Sequence, residues 1–366
     1  MYRIIASLFA TMILSAILTP FIRLLAFKVG AVDNPNARRV NKVPMPTMGG
    51  LAIFLAFNVT NFLLLRKQYP IEQLWALLLA ECIILATGII DDIYELKPRQ
   101  KIYGITLAAL VVFFIAKIKM TTITLPFLGT VTLGWLSLPI TLIWILAITN
   151  AVNLIDGLDG LATGVAIIAL STSAVTGYFF LNVTNTFISI MMFTLVAALI
   201  GFLPYNFHPA KIYLGDTGSL FIGFMISVFA LYGLKNATFI TIIIPVIILG
   251  VPITDTVYAI LRRILNKKPI SQADKHHLHH RLMQMGLSHR QTVLVIYGIA
   301  LIFSSISLLY PISSFWGSVL LTVATLLGLE IFVEVIGLVG ESRRPLLNFI
   351  KKIVLIQVQY HFGSYN

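Results

Sequence analysis

Apolar runs of about 20 residues, the length that carries a helix across the hydrocarbon core of a bilayer, recur through this sequence from end to end. They fall near Ile4–Phe27, Met48–Leu65, Gln73–Ile90, Ile102–Ala116, Leu136–Thr149, Leu161–Leu181, Phe187–Leu203, Gly218–Tyr232, Phe239–Leu261, Thr292–Tyr310 and Phe315–Gly340, eleven in all, of which the fourth and fifth are short. Charge is correspondingly scarce. Of 366 residues, 11% are charged and 58% are hydrophobic, with a mean hydropathy of +0.94. A soluble domain carries about a quarter charged residues. There is too little charge here to coat a water-facing surface. That excludes a soluble enzyme, a disordered chain and a nucleic-acid binder with an exposed basic face. The expected fold class is an all-α polytopic integral membrane protein, with residues 1–366 forming one membrane domain. The first run is too long for a signal-peptide core and reads as a retained helix.

The net charge of +12 then reports orientation rather than nucleic acid. With eleven crossings and the N-terminus outside, nineteen of the 26 Lys and Arg residues fall on the inner side and six on the outer, Arg23 lying within the first helix. The expected arrangement is N-terminus outside and C-terminus cytoplasmic. Acidic residues crowd the same inner side, although they contribute little to orientation. Such a cluster points to a site at the cytoplasmic face. The outer stretch Lys117–Gly134 alternates Thr with Ile and Leu around Pro126 and Gly129, and predicts a small surface hairpin. The lone cysteine, Cys82, is a packing residue on this reading.

Four motifs carry the inner acidic residues and histidines. Gly88 to Lys101 runs an apolar helix into Asp91, Asp92, Glu95 and then Lys97, Arg99 and Lys101. Adjacent carboxylates stay ionised only beside a cation, so Mg²⁺ or a substrate counter-charge belongs there. Asn150 to Gly164 spaces Asn153, Asp156 and Asp159 three residues apart, which a helical turn would place on one face. Oxygen donors at that spacing suit a hard cation, a sugar or a nucleoside. Phe202 to Ser219 contains Asn206, His208 and Asp216, the last between glycines at a helix mouth. There it can cap the helix, bridge a metal to phosphate, or do both. Ser271 to Leu282 holds Asp274, His276, His277, His279, His280 and Arg281. It reads as a short surface helix starting at Ser271 and stopped by Gly286, with Leu278, Leu282 and Met285 as its apolar stripe. Zinc between His276 and His280 is one reading, and phosphate binding is the better one because Lys275 and Arg281 disfavour a dication. Asp255 is expected to line the cavity. Glu81, Glu330 and Glu334 lie in apolar helices and have no assigned role.

These motifs in this order, with Asp33–Arg38 and Pro44–Gly50, resemble the polyprenyl-phosphate N-acetylhexosamine-1-phosphate transferase family, glycosyltransferase family 4, over most of the chain. The resemblance implies ten or eleven spanning helices, a multi-pass protein of the cell membrane, and an active site on the cytoplasmic face. The site would be built from loops 28–47, 91–101, 150–160, 204–217 and 262–291. The implied reaction moves a sugar 1-phosphate from a UDP-sugar donor to a polyprenyl phosphate lipid acceptor, releasing UMP and initiating a cell-envelope glycan such as teichoic acid or O-antigen. Carried over motif by motif, Asp216 is the expected Mg²⁺ ligand, with Asn153 near metal and pyrophosphate and Mn²⁺ as a substitute ion. Asp91 and Asp92 are expected to position the lipid phosphate and to act as base or nucleophile. Lys101 is expected near phosphate, Asp156 and Asp159 on the nucleotide side, and Asn206 in support. His276, His277, His279, His280 and Arg281 would contact the donor. Their pattern resembles the branch that uses UDP-N-acetylglucosamine; a muramoyl-pentapeptide donor is the alternative. Asn41 departs from the histidine that many relatives have in that loop. A homodimer is implied by the resemblance alone. An ion-coupled transporter is the rival class, and it would place its polar groups at mid-bilayer rather than at one face.

Overall fold

The computed structural model describes residues 2–34, 43–125, 129–180, 186–233, 236–267, 269, 277–338 and 344–349. Every apolar run folds as helix. In chain order these are α1 (Tyr2–Val29), α2 (Gly49–Val59, extended by a π turn over Thr60–Leu64), α3 (Ile71–Tyr94), α4 (Pro98–Phe114), α5 (Ser137–Ile155), α6 (Leu161–Phe179), α7 (Thr186–Asn206), α8 (Gly215–Gly233), α9 (Phe239–Ile248), α10 (Gly250–Leu265), the short α11 (Leu278–Gln284), α12 (His289–Ser307) and α13 (Phe315–Ile336). Among the described residues, eight helices are long and apolar enough to cross a membrane, and a bent pair makes a ninth. The chain is a multi-pass membrane protein.

Packing follows the rules of a lipid solvent. On α1 the buried positions begin with Ser7, Thr11, Ser15 and Thr19, at i, i+4 spacing, and continue with Ile22 and Ala26, while Phe9, Ile13, Ile17 and Phe21 face outward. Small polar residues let helices approach closely where no water drives association. Thr11 Oγ1 donates to Thr60 Oγ1 at 2.8 Å, and a Cβ on Gly201 of α7 would lie 2.1 Å from the Met12 carbonyl. Helix α8 is the most deeply enclosed span and packs between α3 and α5.

The ninth apolar run corrects an expectation. It is not one helix but α9 and α10, bent by 83°. Pro252 lacks an N–H and its ring clashes with the carbonyl of residue 248, where α9 stops. Gly250 accepts the ring of Phe303, which would lie 2.7 Å from a Cβ there. The outer hairpin forms as expected, β3 (Thr122–Leu125) pairing antiparallel with β4 (Gly129–Thr132). A third strand, β5 (Asn236–Thr238), joins β3 in parallel, which the sequence pattern did not suggest. At the other end, β1 (Val32–Asp33) pairs with β2 (Met45–Pro46). Helices α3, α5 and α7 finish there, and α4, α8 and α12 begin there, so their polar termini converge.

Candidate active site

The converging termini enclose an open cavity of about 800 Å³. Asp91, Asp92, Lys101, Asn153, Asp156, Asp159, Asp216, His279 and His280 all line it.

The floor is built from helix ends. Asp92, on the last turn of α3, accepts from the Asp216 and Thr217 N–H groups at 2.9 and 3.0 Å and from the Thr217 hydroxyl at 2.6 Å. It thereby satisfies unpaired N–H groups at the start of α8 and complements that helix's positive pole. This corrects the expectation that Asp216 caps α8. The cap is Asp92 from another helix, and the Asp216 carboxylate faces the cavity. Gly215 is required here. Its φ of +73° suits glycine, and a Cβ would lie 2.6 Å from an Asp92 oxygen. Asn153, on the last turn of α5, donates to Asp216 Oδ1 at 2.5 Å and to Ser219 Oγ at 2.7 Å. Lys101, on the first turn of α4, pairs with Asp91 and lies 3.3 Å from Asp216 Oδ1. Asp91 also accepts from the Leu96 N–H at 2.7 Å.

Two carboxylates, Asp91 and Asp216, thus share one ammonium, with Asp92 beside them. The excess negative charge and all-oxygen donors, Asp216 foremost, fit a hard divalent cation. Asn153 directs its amide N–H groups at Asp216 and Ser219, so it orients Asp216.

The next stretch departs from a single helical face. Helix α5 stops at Ile155, and Asp156 leaves the helix with ψ 56°. Gly157 and Gly160 then carry the chain through a turn. Asp156 stays near the floor carboxylates. Burial, then the charges of Asp216, Asp92 and Asp159, hold its pKa well above the ordinary carboxylate range. Asp159 swings to the rim. Its Oδ2 accepts from His208 Nδ1 at 2.7 Å and from the Ala210 N–H at 3.1 Å. Its own N–H donates to His289 Nε2 at 3.0 Å. Asn206 lies beneath the cavity. It accepts from Thr163 at 2.8 Å and donates to the Ile212 carbonyl at 3.2 Å, holding the loop that leads to α8.

The histidine motif is divided. His276 lies outside the described residues. His277 turns away from the cavity, its Nδ1 2.9 Å from Asp255 Oδ2, while Asp255 Oδ1 accepts the Leu278 N–H at 2.8 Å. Asp255 therefore anchors the motif instead of lining the cavity, capping α11 from α10; Ser271, the expected start of that helix, lies outside the described residues. His279 packs on Gly157, where a Cβ would lie 2.6 Å from its ring. Burial, then His280, push the His279 pKa down to about 3, so its imidazole is neutral at physiological pH. Arg281 lies off the cavity wall, its guanidinium donating to the Gly337 carbonyl at 2.6 and 3.2 Å.

The intramembrane glutamates have structural partners. Glu81 accepts from Asn58 at 2.7 Å, Glu330 pairs with Tyr258, and Glu334 accepts the Leu346 and Leu347 N–H groups at 2.8 and 2.7 Å. The sequence reading gave no role to His208, His289 or Ser219. His208 lay within a motif, but nothing local pointed to its partner 49 residues away.

A family model of glycosyl transferase family 4 matches residues 74–234, the span from α3 through α8. The chain is 45% identical, over 97% of its length and 98% of the relative's, to a protein of Bacillus subtilis (strain 168) described as a probable undecaprenyl-phosphate N-acetylglucosaminyl 1-phosphate transferase. It is 34% identical to the decaprenyl-phosphate N-acetylglucosaminephosphotransferase of Mycobacterium tuberculosis (strain ATCC 25618 / H37Rv), over 77% of each chain. It is 32% identical to a phospho-N-acetylmuramoyl-pentapeptide-transferase of Halalkalibacterium halodurans, over 83% of this chain and 95% of the relative. The carboxylate floor of α3, α5 and α8 lies within the matched span, and near full-length identity extends the likeness to the rim: the chain belongs to glycosyl transferase family 4.

Proposed function

We propose that this chain transfers N-acetylglucosamine 1-phosphate from UDP-N-acetylglucosamine to undecaprenyl phosphate, giving the lipid-linked pyrophosphate sugar and UMP, at the start of a cell-envelope glycan. A phosphate oxygen of the lipid attacks the phosphorus that carries the sugar. The bond from that phosphorus to the bridging oxygen breaks, and UMP leaves with its electrons. The carrying observation is the floor, where Asp91, Asp92, Lys101, Asn153 and Asp216 meet at a helix mouth. Bringing two phosphates together is mainly a problem of positioning and charge. Lys101 meets the incoming anion, and Asp91 and Asp92 orient the acceptor. Mg²⁺ held at Asp216 would supply neutralisation of the donor's diphosphate. Asp156 and Asp159 face the nucleotide, and His279 and His280 the sugar or its phosphate.

The proposed topology has eleven crossings, with the N-terminus outside and the site cytoplasmic. It is supported by the eleven apolar runs of the sequence and by the Lys/Arg asymmetry.

UMP release by purified protein with undecaprenyl phosphate and Mg²⁺ tests the reaction. Release with UDP-N-acetylglucosamine, abolished by EDTA, supports it. Release only with UDP-N-acetylmuramoyl-pentapeptide overturns the donor assignment, and release with neither overturns the reaction. For topology, an impermeant maleimide applied to intact cells should label Glu72→Cys and spare Glu95→Cys, both in a Cys82→Ala background.

A further inference from the structure

We propose that Asp159, His208 and His289 form a second divalent-cation site, selective for a borderline ion such as Zn²⁺ or Co²⁺ and separate from the all-oxygen floor. Their ligating atoms lie within 4.8 Å of one another. Among the described residues they are the one group of three or more His, Cys, Asp or Glu side chains that meets this condition. The three come from different segments: the turn after α5, the loop after α7 and the first residue of α12. Each is partly buried on the cavity wall.

The donor chemistry separates this site from the floor. Two imidazole nitrogens and one carboxylate are the ligands that zinc takes, whereas Mg²⁺ and Ca²⁺ prefer oxygen alone. From Asp159 Oδ2, the nitrogens of His208 and His289 lie at 2.7 and 4.0 Å. Those separations bracket the roughly 3.3 Å edge of a tetrahedron with bonds of about 2.0–2.1 Å. Three protein ligands leave a fourth position open toward the cavity. Neighbouring contacts fix the ligands. The Ala210 N–H donates to the ligating oxygen at 3.1 Å, and Arg290 Nε donates to the His208 carbonyl at 3.2 Å. Arg290 brings a like charge, opposed by the Asp159 carboxylate.

Without an ion, hydrogen bonds hold the set assembled. Loading exchanges them: His208 Nδ1 gives up its proton to take the ion, and His289 Nε2 exchanges the Asp159 N–H for it. The bound ion ties three segments together and withdraws Asp159 from the donor, so it inhibits. That consequence rests on the transferase reading; the binding does not.

The test titrates Co²⁺ into untagged full-length protein in detergent, with excess Mg²⁺ to fill the floor, and reads the visible d–d bands of four-coordinate cobalt. Bands saturating at one equivalent in wild type, lost in His208→Gln/His289→Gln and displaced by Zn²⁺, are expected. Unfolding temperatures without metal check that the variant folds, and the single His289→Gln variant, also expected to lose the bands, replaces it if it does not. Wild type without bands overturns the site. So do bands that survive these substitutions and disappear in His279→Gln/His280→Gln, since the ion then belongs to the histidine motif. In the UMP assay, Zn²⁺ should slow wild type and leave any residual turnover of the double variant unchanged. If no UMP is formed at all, the cobalt result still decides the site.

Discussion

The floor and the rim of the cavity are built on different principles. The floor is charged and lies on helix ends that hydrogen-bond one another: Asp92 on α3 caps α8, and Asn153 on α5 fixes Asp216. The rim is rich in imidazole, lies on the turn after α5, the loop after α7 and the starts of α11 and α12, and is anchored to α10 through Asp255. The floor has the charge that phosphoryl transfer needs, at positions that cannot drift. The rim has the Asp159 carboxylate among imidazoles, groups suited to recognising a substrate. Damage to the floor should therefore appear in turnover, and damage to the rim in donor affinity.

The largest effect should come from Asp216→Asn, which keeps shape and removes charge. Turnover should fall on the order of 10³-fold with little change in unfolding temperature, the scale seen when a preorganised electrostatic group is lost. Near-normal turnover at ordinary Mg²⁺ would end the assignment of Asp216 as metal ligand. Gly215→Ala comes next. It forces an alanine to φ +73° against Asp92, a strain of about 1–3 kcal/mol, and it displaces the floor. Both the unfolding temperature and kcat should drop, kcat by about 10²-fold, the scale of a misplacement near 1 Å.

Asp255→Ala tests the rim. It leaves the buried Leu278 N–H without its acceptor, at about 1–3 kcal/mol, and loosens His277. The donor KM should rise about tenfold while the lipid KM holds, a tenfold change corresponding to about 1.4 kcal/mol. An equal rise in both would erase the distinction between floor and rim.

The smallest effect concerns His279. Its folded pKa, about 3, lies below the unfolded value of about 6.5. As pH falls from about 6.5 toward 3, the unfolded chain binds a proton that the folded one does not, so stability declines across that window. His279→Gln should flatten this part of the dependence of unfolding temperature on pH. An unchanged slope would show that the ring is accessible to protons.

Legibility followed the same divide. Asp91, Asp92, Asn153 and Asp216 stood out because carboxylates beside apolar runs have few structural explanations. The bundle was equally plain, since lipid demands long apolar helices. The break at Pro252 was written in the sequence but hidden by continuous hydropathy. His208 and His289 were opaque: a ring that finds its carboxylate 49 or 130 residues away leaves no local pattern. Asp255 was seen but misassigned, because sequence shows that a carboxylate sits in a helix and not which way it turns. The three-residue spacing of Asn153, Asp156 and Asp159 suggested one helical face, and the turn through Gly157 and Gly160 divided it.

The bond from the Asp216 N–H to Asp92 spans 124 residues of sequence. During synthesis α3 must enter the membrane well before α8 exists. For that interval Asp92 has no helix mouth to cap. At mid-bilayer such an unpaired charge would oppose insertion by several kcal/mol. At the edge of the lipid, water solvates it until α8 arrives. Placed at the lipid edge, the floor would serve biogenesis as well as substrate access, because a half-made chain can wait there.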